Sequence, residues 1–167
     1  NDEKIKSLIG LTVAEERSFY WRLTGKQNLE FFAVLYNLSR KETKIRLEQL
    51  FKLFDIDYAD RRFDSYSTGM KRKFSLIRTL LHNPPILLLD EPTKSLDYNS
   101  ASELRKIVKQ LINEGKTVIL ATHNIEEAKD LCCEYIILNK GTCRGLGPIQ
   151  KQTPDLTETY LKLTRND

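Results

Sequence analysis

No stretch of this 167-residue chain approaches the roughly 18 consecutive apolar residues that a membrane-crossing helix needs, so nothing in it reads as a span. No charged-plus-apolar secretory signal opens it. Cysteine is scarce: Cys132, Cys133 and Cys143 are odd in number, two of them adjacent, with no zinc spacing. They read as reduced thiols rather than a disulfide framework or structural metal site. The formal net charge is only +4, compatible with anionic partners but too weak to make a nucleic-acid binder. Repeats and low-complexity segments are lacking. So is any Gly-x-x-x-x-Gly-Lys-Ser/Thr loop; Gly25-Lys26 has neither the upstream glycine nor the following hydroxyl, and no backbone cradle for phosphates can be read from the chain.

What is present concentrates in three places. Residues 86–97 read Ile-Leu-Leu-Leu-Asp-Glu-Pro-Thr-Lys-Ser-Leu-Asp. Four consecutive aliphatics fit a parallel strand covered by helices on both faces. Asp90 and Glu91 then fall at the strand's carboxyl end, where open α/β sheets place their ligand crevice. Two acids against an apolar run need a cation or bound water to compensate them. Upstream, Tyr66-Ser67-Thr68-Gly69-Met70 opens a basic amphipathic segment with Met70, Phe74, Ile77 and Leu81 as its apolar stripe. A serine and a glycine at a helix N-terminus make a phosphate-binding device, because unpaired N–H groups and the dipole point outward there. Downstream, Thr117–Thr122 is a β-branched apolar run ending at His123-Asn124, which puts His123 on the same sheet edge as Asp90 and Glu91. His82 sits before Asn83-Pro84-Pro85, where helix-end capping is explanation enough.

In this order and spacing the three motifs resemble those of the ATP-binding-cassette (ABC) ATPases. The resemblance covers nearly the whole chain but only the later portion of a nucleotide-binding domain, without its P-loop. It implies a P-loop NTPase-like α/β fold: a parallel sheet flanked by helices, with an α-helical subdomain and the N-terminal part of the fold missing. It also implies roles. Residues 86–91 are similar to the Walker B strand, Asp90 holding the Mg2+ shell and Glu91 polarising the attacking water. Ser95-Leu96-Asp97 is similar to the D-loop, with Asp97 at the nucleotide. His123 resembles the switch histidine that contacts the γ-phosphate. Ser67 and Gly69 match the signature motif, whose leucine, first glycine and glutamine are absent here. The Q-loop glutamine falls on Glu15 counting back from Leu23-Thr24-Gly25, and on Ala14 counting forward from Ile9-Gly10; Glu15 is preferred, since a carboxylate can hold magnesium.

The expected cofactors are therefore ATP and Mg2+. The expected partners are a second nucleotide-binding domain, docked head to tail so that Ser67 and Gly69 act in trans, and transmembrane permease subunits at the cytoplasmic face of the membrane; no nucleic acid is expected. Ser-Thr-Gly-Met with Leu23–Phe32 is similar to the branch that exports drugs, lipids or polysaccharides. Without a P-loop the chain alone is expected to be inactive. A non-catalytic ABC-like interaction module, or a soluble ABC protein acting on ribosome or DNA, are the alternatives. Phe19-Tyr20-Trp21, flanked by Arg17 and Arg22, reads either as an interface to the permease or as local aromatic core.

Periodicity supplies the frame. A helix runs over Asn28–Leu38; Ser39-Arg40-Lys41-Glu42 is a capping box opening another, with Ile45, Leu47, Leu50, Phe51 and Phe54 as its apolar positions. These fall in a helical subdomain, 24–81. A sheet core, 82–147, takes strands near 86–90, 117–121 and 135–139, with a helix over 99–114 closed by Gly115. Asn139-Lys140-Gly141 reads as a hairpin turn, and 148–167 as a polar tail with one amphipathic stretch.

Overall fold

The computed structural model describes residues 2–13, 19–149 and 155–164; Glu15 and Ala14 lie outside them. Two compact units divide the chain, 1–121 and 122–167. In the first, α1 (Asp2–Leu8) runs directly into β1 (Ile9–Thr12), which lies beside β2 (Ile86–Asp90) and β3 (Thr117–Ala121) in a parallel sheet of order β1-β2-β3. The connection from β1 to β2 carries α2 (Gly25–Leu35), α3 (Arg40–Phe54), one 3-10 turn and α4 (Thr68–Leu80); that from β2 to β3 carries α5 (Tyr98–Asn113).

Strand alternation decides which side of the sheet is filled. Gly10, Thr12, Leu87 and Leu89 share one face and are buried. α4 lies so close to β1 that a Cβ at Gly10 would stand 2.7 Å from Thr79 Cγ2 and 2.8 Å from Pro84 Cγ. The Thr79 hydroxyl, 2.8 Å from that of Thr12, lies within bonding distance of the Leu11 and Ser75 carbonyls and joins helix to strand. On the other face Leu11 and Ile119 are 51% and 59% exposed on either side of a half-buried Leu88. The expectation that β2 is covered on both faces therefore holds for one face among the described residues. An aliphatic run states that cover is needed; it does not state that the same chain provides it.

The helices follow their caps. Thr24 and Gln27 form a reciprocal capping box at α2, and Ser39 and Glu42 form the expected one at α3. α3 buries Thr43, Leu47, Leu50 and Phe54; Ile45 turns outward, half exposed, because it lies off that i, i+4, i+7 stripe. Phe19 is core, stacked on Phe63 at 4.4 Å, whereas Tyr20 and Trp21 are exposed. The core reading thus holds for Phe19.

The second unit contains α6 (Ile125–Leu131), β4 (Glu134–Asn139), β5 (Thr142–Pro148) and α7 (Leu156–Thr164), with α7 packed on both strands and on α6. Here one expectation is corrected. Residues 134–139 do not join the parallel sheet; β4 pairs antiparallel with β5 in a sheet of two, and the third strand of the parallel sheet is β1. The turn decides it: Lys140 (φ 48°) and Gly141 (φ 76°) are both left-handed, the geometry of a two-residue hairpin whose twist matches its strands.

Candidate active site

β2 and β3 run parallel in register from Ile86 opposite Thr117 to Asp90 opposite Ala121. The ladder continues one residue further, the Glu91 N–H donating to the Ala121 carbonyl at 2.8 Å. Glu91 itself is left-handed, with φ 47°. A non-glycine residue there costs about 1–3 kcal/mol, and such strain gathers at functional sites. The strand's alternation stops at this residue. The chain then turns through bonds from Lys94 N–H to Glu91 O (3.1 Å) and from Leu96 N–H to Thr93 O (3.2 Å), with Ser95 also left-handed at φ 63°. Asp90 is exposed at the strand end and Glu91 half-buried. His123 follows Ala121, the register partner of Asp90, by two positions in the chain.

The turn leads into α5, whose N-cap is Asp97. Its carboxylate accepts from the Ser100 N–H (3.0 Å) and hydroxyl (2.7 Å), bonds that hold its pKa below the usual carboxylate value. Ser100 also faces the first turn of α4: a Cβ on Gly69 would lie 3.1 Å from Ser100 Oγ. Asp97 and Gly69 are thus brought together through Ser100, a residue that sequence reasoning did not single out, although Asp-x-x-Ser is a legible capping pattern.

Ser67 caps α4, accepting from the Met70 N–H at 3.2 Å. The basic residues that follow are taken up within the fold. The Lys71 ammonium sits 4.7 Å from the centre of the Trp21 ring. Buried Arg72 reaches the Val13 carbonyl at 3.4 Å. Lys73 pairs with Glu103 at 3.0 Å. Of the phosphate-binding device expected from sequence, these contacts assign the side chains of Lys71, Arg72 and Lys73 to packing.

The donor set can be tested against Mg2+. Among the described residues no three of His, Cys, Asp and Glu gather as a metal cage. Magnesium rarely asks for one; it takes one or two carboxylates and completes its octahedron with phosphate oxygens and water. Exposed Asp90 at a strand end fits that habit.

The family profile described as "AAA domain, putative AbiEii toxin, Type IV TA system" matches residues 10–128. The ABC transporter ATP-binding protein NatA of Bacillus subtilis (strain 168) is 40% identical over 169 residues, covering 97% of this chain and 69% of that protein. The chain belongs to the ATP-binding proteins of ABC transporters. The daunorubicin resistance ATP-binding protein DrrA2 of Streptomyces coeruleorubidus is 35% identical, over 91% of this chain and 46% of its own length. A dimeric post-hydrolysis structure of the ATP-binding cassette MJ0796, bound to ADP and Pi, superimposes with a TM-score of 0.76 at 24% identity, over 89% of this chain and 66% of that one. The parallel sheet flanked by helices is accordingly the P-loop NTPase-like fold of ABC ATPase domains. The chain thus spans about two thirds of NatA and under half of DrrA2.

Proposed function

We propose that these 167 residues carry the Walker B, signature and switch elements of an ATP-hydrolysing subunit of an ABC exporter. The subunit works as a head-to-tail dimer beneath transmembrane permease subunits at the cytoplasmic face of the membrane. The observation that carries the reading is Glu91: a carboxylate-bearing residue held in a costly backbone conformation, at the end of a parallel strand, by a hydrogen bond to the neighbouring strand. Export is supported by the resistance function in the name of DrrA2.

In this reading Asp90 would hold the Mg2+ that accompanies ATP, and the ion would supply charge neutralisation. Glu91 orients the attacking water and accepts its proton. His123 holds a γ-phosphate oxygen in the same subunit, while Ser67 and Gly69 close over the partner's nucleotide, where a backbone without a Cβ approaches closely. Asp97, fixed by Ser100 at the start of α5, places the D-loop at the same interface. Glu15 is proposed as a further magnesium-binding residue. The phosphate cradle comes from polypeptide outside these residues, and the chain alone is inactive.

The test is ATP turnover by a form of the protein that includes a P-loop. Glu91→Gln should lower Mg2+-dependent turnover by about 10²–10⁴-fold, the usual contribution of a positioned acid or base, and His123→Ala by about 10²–10³-fold, that of one donor to developing charge, with ATP binding retained. Full turnover in Glu91→Gln would overturn the assignment.

A further inference from the structure

The N-termini of α2 and α3 are closed by two-residue capping boxes, in which the N3 side chain bonds directly to the N-cap N–H. α6 is built differently. Its N-cap Asn124 accepts from the Glu127 N–H at 3.2 Å, but the Glu127 carboxylate does not return to the N-cap. Instead the Asn124 N–H donates to the Thr122 hydroxyl oxygen at 3.0 Å, and that hydroxyl donates to Glu127 Oε2 at 2.8 Å. The ring of three residues is closed, and its direction is fixed: a carboxylate only accepts and a backbone N–H only donates, so the Thr122 hydroxyl accepts from Asn124 and donates to Glu127.

The hydroxyl inserted into this cap belongs to the residue before His123, and the N-cap is the residue after it. The circuit therefore holds the Thr122 side chain just before His123 and the Asn124 N–H in the peptide unit just after it. Glu127 is fully buried, and its second oxygen, Oε1, has no hydrogen-bond partner among the described residues. A helix start needing only a cap is served by the two-residue box that this chain uses twice elsewhere. A buried carboxylate with one oxygen unmatched is costly, and what it adds here is the bond that pins Thr122.

We infer that Glu127 is a positioning residue for His123, acting through the Thr122 hydroxyl to fix the direction in which the imidazole leaves the chain. The inference rests on the proposed role of His123 for its effect on turnover, but its structural content does not. The chain has two histidines, so an NMR spectrum of its imidazoles contains two sets of signals. His82, in the other unit, is an internal reference, and the amide signals of β4 and β5, in the same unit as His123, report whether a variant is folded.

Glu127→Leu and Thr122→Val should both shift or broaden the His123 signals and leave those of His82 in place. Glu127→Gln and Thr122→Ser, which keep the acceptor and the hydroxyl, should restore them. A double variant, Glu127→Leu with Thr122→Val, should move His123 no further than either alone. Should one of the breaking variants fail to fold, the other carries the test. Wild-type His123 signals in a folded breaking variant would overturn the inference. In a P-loop-containing form of the protein, Glu127→Leu should lower turnover on the order of 10²-fold, as expected for a displaced reacting group. If His123→Ala lowers turnover and folded Glu127→Leu does not, the positioning role fails; if His123→Ala itself is fully active, the proposed function of His123 fails instead.

Discussion

The hydroxyl of Tyr66 occupies the space in which a Cβ on Gly25 would stand, and the edge of the Phe74 ring closes on the same point. Gly25 is the first residue of α2, and Tyr66 takes the place of the usual signature leucine. The glycine makes room for the larger side chain. The tyrosine is buried, its hydroxyl donates to the Tyr58 carbonyl at 3.0 Å, and it meets Phe74 edge-on at 4.9 Å. Burial raises its pKa to about 12.

Gly25→Ala should therefore destabilise the first unit by overpacking, by about 1–3 kcal/mol, read as a lower denaturation midpoint in urea. Tyr66→Leu alone should cost stability through the lost ring contacts and hydroxyl bond. Combined with Gly25→Ala it should cost less than the two single changes added together, since the overlap is gone. Additive effects would show that the two residues do not share this space.

Gly69 stands differently. Its would-be Cβ meets Ser100 Oγ at 3.1 Å and Ser67 Oγ only at 3.9 Å, so Gly69→Ala needs a shift of a few tenths of an ångström at Ser100 and should fold with at most a small drop in melting temperature. In an ATP-binding form of the protein Gly69→Asp should prevent dimerisation, because a carboxylate would face the partner's γ-phosphate, whereas Glu91→Gln should accumulate a closed dimer. Size-exclusion chromatography with ATP separates the two outcomes, and the opposite pattern would contradict both roles.

The 167-residue chain by itself should show no Mg2+-dependent ATP turnover above a buffer blank, because it lacks the loop that makes most phosphate contacts. Turnover that Glu91→Gln abolishes would show that the remaining contacts suffice.

Stability should fall on mild acidification through His82. Its imidazole stacks on Tyr36 at 4.2 Å, and its Nε2 lies 3.1 Å from the Ile9 carbonyl, joining the end of α4 to β1. Burial lowers its pKa from 6.5; the Ile9 bond raises it by less than that, and the nearby Arg46 and Lys116 cations add smaller lowering effects. With the native pKa depressed, the unfolded chain binds the proton more readily, so the contribution is complete above pH 6.5 and is lost as pH falls through the lowered native value. His82→Gln should flatten that part of the stability–pH curve; an unchanged slope would remove His82 as its cause.

Much of the fold was written locally. Ser39 and Glu42 announced their capping box and Asn139-Lys140-Gly141 its hairpin, because caps and turns act within a few residues. The order of Ser67, Gly69, Asp90, Glu91 and His123 was likewise legible in one dimension. What the sequence could not state was which strands share a sheet: residues 135–139 and 9–12 are both short apolar runs, and pairing is decided by long-range register and connection geometry. Nor could it show that α4's cations are spent on Trp21, Val13 and Glu103, that Ser100 lies between Asp97 and Gly69, or that Glu91 is left-handed. Residue types and spacings set what each segment can do; only packing distant segments together fixed which of those options each side chain took, because every such contact depends on a partner far away in the chain.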